Sequence, residues 1–73
     1  MALKAKIDAL VRIHFLIKRK ATGTPEQLSH RLEVSRPTVF RYLNELRDYG
    51  APIAFCNHRQ SYYYENDFEL KFY

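Results

Sequence analysis

The chain has 73 residues, a mass of 8.8 kDa and a formal net charge of +4. That length allows one small domain that buries only about 60% of its unfolded surface, which argues against a deep catalytic pocket. An apolar share of 47% and a charged share of 27% argue against wholesale disorder, and the single cysteine, Cys56, excludes an internal disulfide and a cysteine-based zinc cluster.

Residues 4–20 read as a first helix. Leu3, Ile7, Leu10, Ile13, His14 and Ile17 fall on one broad stripe at 3.6-residue spacing. His14 on that stripe reads as a core-edge histidine. Lys18, Arg19 and Lys20 read as a solvated helix end, favourable to the macrodipole. Thr22-Gly23 is expected to end the helix, with Gly23 at the cap. The stretch has no signal-peptide character, and no apolar run approaches the roughly 20 residues needed to cross a bilayer. A reducing cytoplasm and no membrane partner are the expectation.

Thr24-Pro25-Glu26-Gln27 is a helix start. The Thr24 hydroxyl can accept from the Gln27 N–H while the Gln27 side chain reaches back, which is a capping box. Pro25 takes the first helical position, where its missing N–H is no loss. The second helix is expected over 25–32, with Leu28 and Leu32 as its apolar pair. Ser35 is the next N-cap, and Pro37 lies in the first turn of a third helix over 36–49. Its apolar face is Val39, Tyr42, Leu43 and Leu46. Gly50 and Pro52 stop it.

After Pro52 the period changes from 3.6 to about 2. Ile53–Cys56 and Tyr62–Glu65 read as two strands of a hairpin around a polar turn, Asn57–Ser61. Cys56 reads as a small buried residue. Residues 66–73 read as a C-terminal strand or tail, with Phe68, Leu70 and Phe72 alternating. The fold class is mainly α with a small β-hairpin, a single domain over 1–73.

The chain order of short helix, tight turn Leu32-Glu33-Val34-Ser35, longer helix and hairpin is helix-turn-helix geometry. From Gly23 to Leu46, and through Tyr49-Gly50-Ala51-Pro52-Ile53 and Ser61-Tyr62-Tyr63-Tyr64, the sequence resembles the winged helix-turn-helix of DeoR-like and biotin-repressor-like bacterial regulators. The resemblance covers about residues 7–65. It implies a three-helix winged domain that binds double-stranded DNA. The family's turn usually carries glycine where this chain has Glu33, and alanine where it has Ser29. Glu33 is therefore expected in a left-handed conformation, at a cost of roughly 1 kcal/mol. Many family members add a C-terminal sensor domain, which is not expected in this chain.

The charge pattern sharpens the candidate site. Residues 1–24 hold six bases against one acid, and residues 25–49 hold four arginines against four acids. The third helix nevertheless sorts Arg36, Pro37, Phe40, Arg41, Asn44 and Arg47 onto the face opposite its apolar one. Arginines suit guanine edges or phosphates, Asn44 suits adenine, and Phe40 suits a thymine methyl. The second reading for Phe40 is packing on helix 1 or on a dimer partner. Thr38 and Thr24, near two helix N-termini, are placed for phosphate oxygens. His58 and Arg59 at the hairpin tip suit a minor groove or flanking backbone.

The expected function is sequence-specific duplex DNA binding in a small transcriptional regulator. A homodimer is a possible partner arrangement, with Leu3, Phe15, Leu16, Phe68, Leu70 and Phe72 as its candidate interface. Two alternatives stand beside this: a protein-interaction module on the same scaffold, and RNA or single-strand binding through Tyr62, Tyr63 and Tyr64. No acid pair, nucleophile–base pair or glycine-rich phosphate loop is visible, so no enzyme activity is expected. Scattered His14, His30 and His58 make a zinc site improbable. No cofactor, metal or small-molecule ligand is expected.

Overall fold

Three helices and one hairpin follow each other along the chain: α1 (Ala2–Lys18), α2 (Pro25–Leu32), α3 (Arg36–Asp48), β1 (Ile53–Cys56) and β2 (Ser61–Tyr64). The structure, a computed structural model, describes residues 2–70, and the side chains of residues 6–70. α1 is the shared wall. α3 packs on it from one side and β2 from another, while α2 packs on α3. Leu10, Ile13 and Ile17 of α1, Leu28 and Leu32 of α2, and Val39, Leu43 and Leu46 of α3 meet in one core. Ala51, Ile53, Tyr62 and Leu70 close it.

The helix starts follow the sequence reading. Thr24 Oγ1 accepts from the Gln27 N–H at 3.2 Å, and the Thr24 N–H donates to Gln27 Oε1 at 2.8 Å. Gly23 makes that box possible. Its φ is +74°, and a Cβ there would lie 2.5 Å from Gln27 Oε1. Ser35 caps α3 by accepting from the Thr38 N–H.

All three helices end on the same motif. A residue just past each helix turns left-handed, and two N–H groups reach back to the last free carbonyls. For α1 the bonds are Lys20 N to Ile17 O and Ala21 N to Leu16 O. For α2 they are Glu33 N to His30 O and Val34 N to Ser29 O. For α3 they are Gly50 N to Arg47 O and Ala51 N to Leu46 O. The left-handed residues are Lys20 (φ 55°), Glu33 (φ 57°) and Gly50 (φ 99°). Only the last is glycine. α1 therefore ends at Lys18, two residues before the expected boundary, and Lys20 takes the left-handed place at its end; Gly23 is left-handed too, with φ +74°, but at the start of α2.

A side chain with a Cβ is strained there by roughly 1–2 kcal/mol. Glu33→Gly is expected to raise stability by about 0.5–1 kcal/mol after the entropy cost of glycine. In thermal denaturation that is a rise of roughly 2–8 °C. An unchanged or lower midpoint would contradict the strain argument.

The hairpin pairs antiparallel, with Ile53 opposite Tyr64, Phe55 opposite Tyr62, and Cys56 opposite Ser61. Phe55 and Tyr62 stack edge to face at 4.9 Å. Thr22, fully buried between α1 and α2, covers the outer edge of β2. The Tyr62 N–H donates to Thr22 Oγ1 at 2.9 Å, the Thr22 N–H donates to Ser61 Oγ at 3.1 Å, and the two hydroxyls lie 3.0 Å apart. An open strand edge is thus closed by one loop residue.

Three further expectations change, and one lies outside the described residues. No strand forms over 66–70; Leu70 is 3% exposed and belongs to the core, while Phe68 packs against it. Burial under the α1–β2 seam produces the alternation without any strand pairing. Leu3 and Phe72 lie outside the residues whose side chains are described. Cys56 is only half-buried, because it sits at the hairpin turn, where the Arg59 N–H donates to its Sγ. His14 is fully buried, not at the core edge. Its Nδ1 lies 2.8 Å from the Tyr64 hydroxyl, within an aromatic group that includes Phe15 and Phe68.

Candidate nucleic-acid interface

The site is built on the outer face of α3. Burial of Val39, Leu43 and Leu46 fixes the helix rotation, so residues at the complementary spacing must face solvent. Arg36, Pro37, Phe40, Arg41, Asn44 and Arg47 are all exposed. Phe40 is 43% exposed and stands outside the core. Residues 36, 40, 44 and 47 follow each other at three- or four-residue steps, as does the pair 37 and 41, which makes one continuous strip. Glu45 is turned to the flank, where Lys6 holds it at 2.8 Å. That hydrogen bond and the Glu45 charge raise the Lys6 pKa above its ordinary value. The acid is thereby drawn off the arginine strip, and α1 is tied to α3.

Arg47 differs from the other two arginines of the strip. Its Nη1 donates to Asn44 Oδ1 at 3.1 Å, and its Nη2 reaches the Ile53 carbonyl at 3.5 Å. It is partly engaged at the junction of α3 with the hairpin. Arg36 and Arg41 have no ion pair among the described residues. Asn44 keeps its amide NH₂ as donor while its oxygen accepts from Arg47.

The remaining candidates lie around this strip without joining it. Thr38 is half-buried, and its hydroxyl is 3.0 Å from that of Ser35 at the α3 cap. Thr24 is half-buried in the capping box at the start of α2. His58 and Arg59 are exposed in the four-residue turn that closes the hairpin, where Gln60 adopts a left-handed φ of 55°. Of the three tyrosines, Tyr62 is buried and Tyr64 is committed to His14. Burial raises the Tyr62 pKa. Two of the three rings are thus occupied inside the protein.

Sequence reasoning missed two exposed features elsewhere on the surface. Tyr49, at the end of α3, is 60% exposed. A cleft between α1 and α2 is lined by Arg12, Arg19 and Arg31. Tyr49 carried no usable signal, since helical spacing places it beside Tyr42 and Leu46, away from the arginine strip. The cleft carried none, because it depends on how α1 and α2 pack.

Among the described residues, no group of three or more His, Cys, Asp and Glu could hold a metal ion. No helix there is long and apolar enough to cross a membrane.

Three helices, a tight left-handed turn between the second and third, an outward arginine strip on the third and a β-hairpin after it define a winged helix-turn-helix domain, a DNA-binding class. Residues 9–63 match the family described as HTH domain, and the chain belongs to that family. Its members are DNA-binding, non-enzymatic domains associated with transcription regulation. No curated protein and no solved structure matches the chain.

Proposed function

We propose that the chain binds double-stranded DNA sequence-specifically as a small transcriptional regulator, with α3 in the major groove. The outward strip of Arg36, Pro37, Phe40, Arg41, Asn44 and Arg47 carries this reading. An α-helix fits the roughly 12 Å width of that groove, and each good bidentate arginine contact is worth about 1–3 kcal/mol of discrimination. In this reading Arg36 and Arg41 contact guanine edges or adjacent phosphates, and Phe40 contacts a thymine methyl. Asn44 offers its amide donor to a base acceptor, held by Arg47. Thr24 and Thr38 hydroxyls approach phosphates, and His58 and Arg59 meet flanking backbone or minor groove. One module of this kind buries only about 600–1,000 Å² of protein surface, which favours two copies on paired half-sites.

Affinity for a bound duplex is expected to fall steeply with salt, by a slope of about −0.9 per phosphate neutralised. Arg36→Ala with Arg41→Ala is expected to lower affinity by roughly 30- to 1,000-fold while leaving the circular dichroism spectrum intact. Fluorescence anisotropy over a salt series reads both effects. Salt-independent binding, or unchanged affinity in the folded double variant, would refute the assignment to α3. Tighter binding to single strands, lost on changing Tyr63 to Ala, would favour the single-strand reading.

A further inference from the structure

We propose that two copies of this chain associate by seating the acidic loop that follows β2 of one copy in the arginine cleft of the other. The cleft, of about 470 Å³, has Phe15 and Leu16 as its apolar part and Arg12, Arg19 and Arg31 around it. Arg12 Nη2 donates to the Arg31 carbonyl at 3.3 Å, which lays its side chain across the end of α2. No carboxylate among the described residues lies within ion-pair distance of any of the three guanidiniums. Three arginines without a carboxylate repel one another. Arginine, with its planar fork, is the cation best shaped for a carboxylate from outside. Phe15 is 44% exposed and gives the cleft an apolar surface that a second copy could cover.

The chain carries the complementary chemistry itself. Glu65 and Asp67 are exposed on the loop after β2, and neither is in an ion pair among the described residues. The third acid, Glu69, is already held by Lys18 at 3.0 Å. The loop and the cleft flank the same end of α1: Lys18 and Lys20 line the hollow beside the loop, and Arg19 lines the arginine cleft. Complementary patches placed side by side are the arrangement a two-fold axis requires. The rotation brings each cleft onto the other copy's loop, giving two identical contacts and a closed pair. This replaces Phe68 and Leu70, both turned inward, as the expected dimer surface. The interface stands on charge and shape; the DNA reading supplies only its use.

Sedimentation equilibrium up to millimolar protein tests it, with two double variants. Arg12→Glu with Arg31→Glu reverses the cleft, and Glu65→Lys with Asp67→Lys reverses the loop. The wild-type chain is expected to show the mass of two chains. Each variant alone, folded by circular dichroism, is expected to show the mass of one. An equimolar mixture of the two variants is expected to regain the mass of two, because one contact is then the wild-type one and the other is restored with its charges exchanged. A wild-type chain that stays single, variants that still pair, or a mixture that fails to pair each overturns the proposal. Loss of duplex affinity in the cleft variant with pairing intact would also overturn it, by assigning the cleft to nucleic acid. Single-site duplex binding, measured separately through Arg36 and Arg41, does not depend on any of these outcomes.

Discussion

Thr22→Val is expected to destabilise the protein by about 2–3 kcal/mol, although it keeps the side chain's shape and volume. The reason is what the hydroxyl leaves behind. Thr22 Oγ1 accepts from the Tyr62 N–H and contacts Ser61 Oγ, and all three residues are buried. Removing one partner strands the other, and a stranded buried donor costs roughly 1–3 kcal/mol. The effect also reaches the outer edge of β2, which Thr22 closes from the α1–α2 loop. A loss of that size lowers the thermal midpoint by on the order of 10 °C for a domain of this length. Urea denaturation reads the free energy directly. Thr22→Ser keeps the hydroxyl and should recover most of the loss. A Thr22→Val protein within about 0.5 kcal/mol of the parent, the range of an ordinary surface substitution, would show that water replaces the bond.

The second large effect is an acid lability centred on His14. Burial pushes its pKa below the ordinary value of 6.5; the Lys18 charge adds to this, and the Glu69 charge opposes it. The ring is 0% exposed, with Nδ1 at 2.8 Å from the Tyr64 hydroxyl. The folded state therefore prefers the neutral ring, and the unfolded state binds the proton more readily. Stability from this group is present above pH 6.5 and is lost as pH falls through that value toward the lower folded one. The slope contributed by one such group is at most about 1.4 kcal/mol per pH unit. Unfolding free energies measured between pH 8 and pH 5 should decline, and His14→Gln, which does not titrate, should flatten the decline. Because His14 ties α1 to β2, the first change on acidification is expected at the hairpin. Equal pH dependence in parent and variant would place the titration elsewhere.

Local signals made much of this fold readable. Thr24-Pro25-Glu26-Gln27 specifies its own capping box, Ser35 its own cap, and Gly50 with Pro52 its own stop, because each bond spans three or four residues. The outward strip on α3 was readable for the same reason. Once Val39, Leu43 and Leu46 are buried, helical geometry leaves Arg36, Phe40 and Arg41 outside. The left-handed Glu33 followed from comparing its turn with a glycine-bearing one.

What escaped the sequence depends on distant partners. Thr22 and Ser61 are 39 residues apart, and nothing near Thr22 marks its hydroxyl as buried. Lys20 rather than Gly23 closes α1, because the bonds to Ile17 O and Leu16 O must form as soon as the helix ends; Gly23, also left-handed, serves the α2 capping box instead. The alternation of Phe68 with Leu70 looked like a strand, yet a period of two records alternate burial and not pairing. Arg47 looked like its neighbours on α3. Only the position of Ile53 beside the helix reveals that it is drawn to the hairpin junction.

The proposed role of α3 as the reading element can be checked residue by residue. Amide chemical-shift mapping of the isotope-labelled chain against a duplex selected from random sequences tests it most directly. The largest shifts are expected at Arg36, Thr38, Phe40, Arg41 and Asn44, with smaller ones at Thr24 and at His58 and Arg59. Shifts confined to Arg12, Phe15, Arg19 and Arg31, or to the face of Tyr63, would contradict it.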